Sequence, residues 1–220
     1  MLRPQEAPIV QEEVLPPVPP TQLLPRAIAE RFSHSPVWTP ETSGDGSIFK
    51  DRTVREAAVL IPLIQRAEGL TVLLTQRTAH LHDHGGQISF PGGRRDPEDE
   101  SLTQTALRET TEEIGIASHY IKVLGALANY QTVTAYRVTP FVALVEDGFV
   151  LKPDPFEVED TFEVPLVFFM DPRNHQRRII PTPLGERSFF AMPFDDAGKE
   201  RFVWGATAAM LRNFYRFLTA

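Results

Sequence analysis

The sequence predicts an α+β fold, or a helix–sheet–helix sandwich, in one domain preceded by a proline-rich arm. Three features point there. Apolar, β-branched runs of strand length occur at Ala57–Ile64, Leu70–Gln76 and Tyr136–Val145. Ser101–Ile114 and Trp204–Leu218 read as helices. Strands and helices do not alternate as regular βαβ units. With 220 residues, 42% of them hydrophobic, the chain can form one domain with its own core plus a tail.

Residues 1–25 carry Pro4, Pro8, Pro16, Pro17, Pro19, Pro20 and Pro25. Such a segment favours extended polyproline conformations and cannot pack a core alone. It reads either as a docking arm for a partner or as a tail that lies on its own domain or stays flexible. No aromatic or charge pattern marks a ligand motif. The single domain is expected over 26–220, after a short helix that begins near the boundary, Leu23–Phe32. The strands Ala57–Ile64 and Leu70–Gln76 are separated by a turn at Ala67-Glu68-Gly69, and a glycine- and histidine-rich loop, His80–Gly93, follows. In the helix Ser101–Ile114, Ser101 is the N-cap, Gln104 can complete a capping box and Gly115 is the stop. Strands are expected at Tyr120–Leu127 and Tyr136–Val145, a short helix at Pro165–Met170, and further strand near Gln176–Ile180 and Ser188–Met192. In the last helix, Trp204, Ala208, Leu211, Tyr215 and Leu218 form a stripe that reads as core packing.

The net charge of −7 argues against broad nucleic-acid binding, which needs a basic surface. It does not argue against a nucleotide substrate, because one metal site neutralises several phosphate charges locally. The absence of cysteine excludes disulfides, thiolate zinc sites and cysteine nucleophiles and fits a reducing compartment. No run of about 18 apolar residues marks a membrane span. The N-terminus lacks the apolar core of a secretory signal, and Glu6, Glu12 and Glu13 are out of keeping with a mitochondrial transit peptide. A cytoplasmic protein without nucleic-acid or membrane partners is the expectation.

Chemistry concentrates between Gly92 and Ile116. On a helix, Glu109, Glu112 and Glu113 share one face, since they are three and four residues apart. Like charges there repel, and next to Gly115 they lie where the helix dipole favours cations. A divalent cation would reverse both penalties, and oxygen-only ligands suit magnesium or manganese rather than zinc. The alternative is a solvated acidic helix end. The glycines of Phe90-Pro91-Gly92-Gly93 allow close backbone approach to a phosphate or to the helix itself, and Arg108 can orient a carboxylate by a bidentate contact. Glycine turn, arginine and grouped glutamates together describe a metal–pyrophosphate site.

The pattern Gly93 … Arg108-Glu109-Thr110-Thr111-Glu112-Glu113-Ile114-Gly115-Ile116 resembles the Nudix box: a glycine, a glutamate, then Arg-Glu-apolar-x-Glu-Glu-x-Gly-apolar. Thr110 stands where an aliphatic residue is usual. One extra residue precedes Arg108, so Glu100, or alternatively Asp99, matches the early glutamate. Leu73-Leu74-Thr75-Gln76-Arg77-Thr78 … Gly86-Gln87-Ile88-Ser89-Phe90-Pro91-Gly92-Gly93 looks like the signature of the coenzyme A pyrophosphatases within that family. So do Val164-Pro165-Leu166 and Trp204-Gly205-Ala206-Thr207 downstream. Departures are Thr78 for serine or alanine, His82 for arginine, and Thr134-Ala135 for Ser-Gly.

The resemblance implies an α/β/α sandwich with a mixed central sheet and Mg2+- or Mn2+-dependent hydrolysis of a small nucleotide substrate. For coenzyme A or its acyl forms the products would be 3′,5′-ADP and 4′-phosphopantetheine, or its acyl form. Glu109, Glu112 and Glu113 would hold metal. Glu109, Glu112 and Glu157 are the candidate catalytic carboxylates, with Glu157 either a general base or a surface charge beside Glu159 and Asp160. Arg77, His82, Gly92, Gly93 and Arg108 are the candidate substrate contacts; Arg77 could equally just end a strand. His80, His82 and His84 alternate, but no acid or cysteine in a standard spacing completes a zinc site. Competing readings are a hydrolase of ADP-ribose or a dinucleotide, and a Nudix-fold nucleotide sensor that does not cleave. A homodimer is compatible with the subfamily, although no feature of the sequence demands it.

Overall fold

The structure, a computed structural model, describes residues 3–11, 13, 15–44, 53–80, 85–182 and 185–220. In chain order the first elements are β1 (Ile9–Val10), α1 (Pro25–Ser33), β2 (Arg55–Arg66), β3 (Gly69–Arg77), β4 (Ile88–Ser89), β5 (Gly92–Arg94) and α2 (Leu102–Ile114). There follow β6 (Ile121–Ala126), β7 (Tyr130–Gln131), β8 (Tyr136–Val145), β9 (Val158–Pro165) and α3 (Leu166–Phe169). The chain closes with β10 (Gln176–Thr182), β11 (Gly185–Asp196), β12 (Lys199–Trp204) and α4 (Gly205–Thr219).

Eight strands form a mixed sheet along the path β4-β3-β2-β8-β6, with β5 added to β2, β7 to β8 and β9 to β3. β2 and β8 run parallel from the pair Arg55–Tyr136 to the pair Ile64–Val145, and β2 and β3 form a hairpin. Strand alternation explains the layers. Ala57, Ile61 and Leu63 of β2 join Val142, Val164 and the α4 residues Leu211 and Phe214 in the main core. Ala58 and Leu60, on the other face, pack with Ala106 of α2 and with Phe141 and Ala143. Helices α2 and α4 therefore cover opposite faces of the sheet, which is the sandwich expected from the sequence.

The second sheet, antiparallel in the order β1-β10-β11-β12, was not expected. β9 and β12 contain no apolar run of strand length, because both are rich in charge. Yet Val158, Phe162 and Val164 of β9 are buried at period two or nearly so, and in β12 even Arg201 is buried. Its guanidinium lies 4.0 Å from the Phe162 ring centroid and donates to Asp160 Oδ2 (2.7 Å), Asp196 Oδ2 (2.9 Å) and Gln76 Oε1 (3.0 Å). α4 is buried beyond its predicted stripe. Arg212 donates to Glu41 Oε2 (2.7 Å), and Asn213 Nδ2 donates to the Thr42 carbonyl (2.7 Å), so the segment before β2 is laced to this helix.

The proline-rich arm does not stand apart from the domain. Ala7, Val18 and Leu23 are buried, and β1 pairs with β10. The Tyr215 hydroxyl donates to Pro16 O (2.8 Å), and Arg178 Nη1 donates to Gln5 O (2.7 Å) and Ala7 O (2.9 Å). Of the readings open to the arm, a tail that lies on its own domain matches these contacts: Val18 and Leu23 join the main core, and Ala7 packs with Phe189, Ala191 and Phe202. Ala7 and Pro16 lie in backbone outside helices and sheets, and Gln5 lies in a short 3-10 turn, so these carbonyls are open to the domain's donors. No helix among the described residues is long and apolar enough to cross a membrane.

His175 sits behind α4. Its Nε2 donates to Phe169 O (2.7 Å), its Nδ1 accepts from Arg212 Nη1 (3.1 Å), and its ring meets Tyr215 edge-on. Burial chiefly, and then the Arg212 charge, pushes its pKa down to about 4 from 6.5, against the pull of the Phe169 carbonyl. The neutral ring therefore contributes stability in full above pH 6.5, and that contribution, about 3 kcal/mol, is lost as pH falls toward 4. His175→Gln should show a shallower loss of unfolding free energy across this window in urea titrations. Parallel pH profiles for variant and wild type would remove His175 as the cause.

Candidate functional site

The site is built on α2, and the caps define where that helix starts and stops. Ser101 Oγ accepts from Gln104 N (3.2 Å), while Gln104 Oε1 accepts from Glu100 N (2.7 Å), one residue earlier than the usual capping box. Gly115 ends the helix in the left-handed conformation, its N–H donating to Thr111 O (3.0 Å). The last turns thus hold Glu109, Glu112 and Glu113, and α2 packs against β2 and β5.

Two of these carboxylates are pressed onto the Gly92-Gly93 backbone. Gly92 N–H donates to Glu113 Oε2 (3.2 Å). A Cβ on Gly93 would lie 2.5 Å from the Glu109 carboxyl carbon. Gly92 itself has φ +149°, and a Cβ there would lie 2.4 Å from the Ala58 carbonyl oxygen of β2. Gly93 lets the helix approach, and Gly92 lets strand β2 approach while its N–H faces Glu113. Burial is the main reason that both carboxyls bind protons more tightly than usual. It raises Glu113 to about 7 against the Gly92 hydrogen bond and Arg77, and it raises Glu109 against Arg108.

Glu112 departs from the shared face. Its side chain is 59% exposed and pairs with Arg108 Nη1 (2.9 Å), which also lies 3.0 Å from Glu109 Oε1. Among the described residues, no three histidine or acidic side chains are already gathered as a metal site. The donors present nevertheless fit a hard cation. They are all carboxylate oxygens, two are crowded and desolvated, and neighbouring arginines offset only part of their charge.

Arg108 makes its bidentate contact with Asp99, through Nε to Oδ1 (3.0 Å) and Nη2 to Oδ2 (2.9 Å). Asp99 is buried, also accepts from Thr105 Oγ1 (2.9 Å) and Asp96 N (3.0 Å), and is held well below the usual carboxylate range, chiefly by Arg108. Glu100, favoured for the early acidic position, is exposed. Asp99 closes a turn with Asp96 O just before the N-cap Ser101, and it is this shorter side chain, one residue earlier, that is turned toward α2.

Arg77, at the end of β3, links two acids: Nη1 to Glu113 Oε1 (3.2 Å) and Nη2 to Glu157 Oε2 (3.8 Å). Glu157 is part-exposed and its carbonyl accepts from Thr78 N (3.0 Å). The structure therefore brings together Arg77, Gly92, Gly93, Arg108, Glu109, Glu113 and Glu157, with Glu112 at the rim. His82 and His84 lie outside the described residues. A cavity of about 440 Å3 between α1 and the end of α4, lined by Arg31, His34 and Leu218 among others, shares no residue with this cluster.

The two glycines should fail differently. Gly92→Ala meets backbone and is expected to lower the melting temperature. Gly93→Ala meets only the far end of a flexible side chain, so it should fold nearly as wild type while displacing Glu109, with turnover down on the order of 100-fold. Melting curves and turnover measured side by side check both; a fully active Gly93→Ala would mean that the Glu109 position is not critical.

Comparison with known proteins gives the family. The NUDIX domain family matches residues 54–211. Across 168 residues the chain is 41% identical to an uncharacterized Nudix hydrolase, NudL, of Yersinia pestis, covering 76% of this chain and 81% of that protein. Among solved structures, a MutT/nudix family protein from Enterococcus faecalis is 16% identical (TM-score 0.47; 79% of this chain, 66% of that one). An Ap4A hydrolase binary complex from C. elegans is 24% identical (TM-score 0.44; 51% of this chain, 81% of that one). The box residues on α2, the glycine turn beneath them and the match over most of the domain make this chain a member of the Nudix family, a pyrophosphohydrolase.

Proposed function

We propose that the chain hydrolyses the pyrophosphate bond of coenzyme A or acyl-coenzyme A, with Mg2+ or Mn2+, giving 3′,5′-ADP and 4′-phosphopantetheine or its acyl form. One observation carries this reading. Arg77, from the coenzyme A-type stretch Leu73–Gly93, and the Gly92 N–H, from its other end, both contact Glu113 of the Nudix box. The subfamily signature and the family motif meet on one carboxylate.

Glu109, Glu112 and Glu113 would hold the ion. When bound, the ion supplies positive charge to the pyrophosphate and a more acidic water. Water adds to one phosphorus, the bridging P–O bond breaks, and a carboxylate takes the proton. Glu157 fits that last role best, because it is part-exposed, next to the cluster through Arg77, and outside the metal-holding set. Glu109 and Glu112 are poorer bases for as long as they are ligands. Arg77 and Arg108 neutralise the phosphate groups at either side. Gly92 and Gly93 act on substrate through the glutamates that they position. A hydrolase of ADP-ribose is the competing reading, since His82 replaces the arginine usual in the coenzyme A subfamily.

A panel of coenzyme A, ADP-ribose, NADH and nucleoside triphosphates, with Mg2+ or Mn2+, should show coenzyme A or an acyl form as the best substrate and 3′,5′-ADP as a product. Faster turnover of ADP-ribose would overturn the subfamily assignment. Glu113→Gln should abolish metal-dependent turnover. Because the folded Glu113 has a raised pKa, its ionisation weakens the fold as pH rises through about 7. The metal-free variant should therefore melt no lower than wild type at pH 8. Retained activity in the folded variant would remove Glu113 from the site.

A further inference from the structure

An unburied aromatic ring sits beside the cluster. Phe156 is 65% exposed, and among the described residues it is the only Phe, Tyr or Trp so open to solvent. Leaving such a ring in water forgoes the stabilisation that burying it would bring. Its backbone is nonetheless held firmly. Phe156 N donates to Asp154 Oδ1 (2.9 Å), Thr78 Oγ1 donates to Phe156 O (2.8 Å), and Thr78 N donates to Glu157 O (3.0 Å). The turn is joined to α2 as well, because Asp154 N donates to Glu113 O (2.9 Å). The same hydrogen bonds that place Glu157 beside Arg77 hold Phe156 out into water. His80 stands against the ring with centroids 5.0 Å apart and planes at 62°, forming an aromatic corner with a polar edge.

We propose that Phe156, with His80 at its side, is the platform on which the nucleobase of the substrate stacks. This rests on the reading of the site as one that takes a nucleotide, and it deepens that reading by placing the base. A flat heteroaromatic ring gains from a fixed ring face, and the His80 nitrogens offer a hydrogen-bonding edge inclined at 62° to it. A flexible pantetheine or acyl chain would gain only contact area there. The rigid mounting also limits the ordering that binding must impose. Phe156 and Glu157 belong to one turn, which Thr78 and Asp154 fix, so the platform is carried by the same segment as the candidate base.

Equilibrium binding of 5′-AMP and of ribose 5-phosphate, which lacks the base, tests this by calorimetry on the full chain with Mg2+. Wild type should bind 5′-AMP more tightly than ribose 5-phosphate. Phe156→Ala should weaken 5′-AMP about tenfold, in line with the loss of one stacked base, and leave ribose 5-phosphate as it was. Phe156→Leu, which keeps apolar bulk without the ring face, should behave like alanine, and Phe156→Tyr like wild type. The proposal is overturned if wild type does not distinguish the two ligands, if both Phe156→Ala and Phe156→Leu bind 5′-AMP as wild type does, or if both ligands weaken equally. Failure of the coenzyme A reading would appear separately, as no turnover of coenzyme A, while the preference for 5′-AMP persisted.

Discussion

Where helix α2 meets strand β5, the Glu109 carboxylate occupies the space that a side chain on Gly93 would need, and the Glu113 carboxylate accepts from the Gly92 N–H. Bringing carboxylates out of water against a sheet is unfavourable by several kcal/mol unless charge and hydrogen bonds compensate. The Gly92 N–H and Arg77 compensate Glu113 in part, and Arg108 compensates Glu109 in part. What remains is a local deficit of positive charge, written in the raised pKa values of both acids. A divalent cation and the phosphates it accompanies are suited to that deficit.

The fold holds this contact from several sides. The parallel pair β2–β8 supplies a sheet centre buried on both faces, so α2 has Ala58 and Leu60 to sit on. Asp99 keeps Arg108 turned along the helix toward Glu109 and Glu112. Thr78 and Asp154 carry the turn with Phe156 and Glu157 up to Arg77. On the far face, α4 is enclosed by the second sheet, by the segment around Glu41 and by the proline-rich arm. Charge alternates across the site from Glu112 through Arg108 to Glu109, and from Glu113 through Arg77 to Glu157.

Features governed by short-range chemistry are legible in the residues alone. Apolar runs located β2, β3 and β8. Ser101, Gln104 and Gly115 bounded α2 within a residue, and helical spacing put the box glutamates at its end. Those features depend on local backbone chemistry, so they can be read locally. Tertiary structure decided the rest, because those outcomes depend on which surfaces meet. Asp99 rather than Glu100 faces Arg108, and Glu112 turns outward while its neighbour Glu113 is buried. β9 and β12 are strands despite their charge, since Arg201 finds Asp160, Asp196 and a phenylalanine ring across chain separations no pattern reveals. Gly92 and Gly93 were legible as places of close approach, but what approaches them, strand β2 at Gly92 and the Glu109 carboxylate at Gly93, was settled only when β2 and α2 met β5.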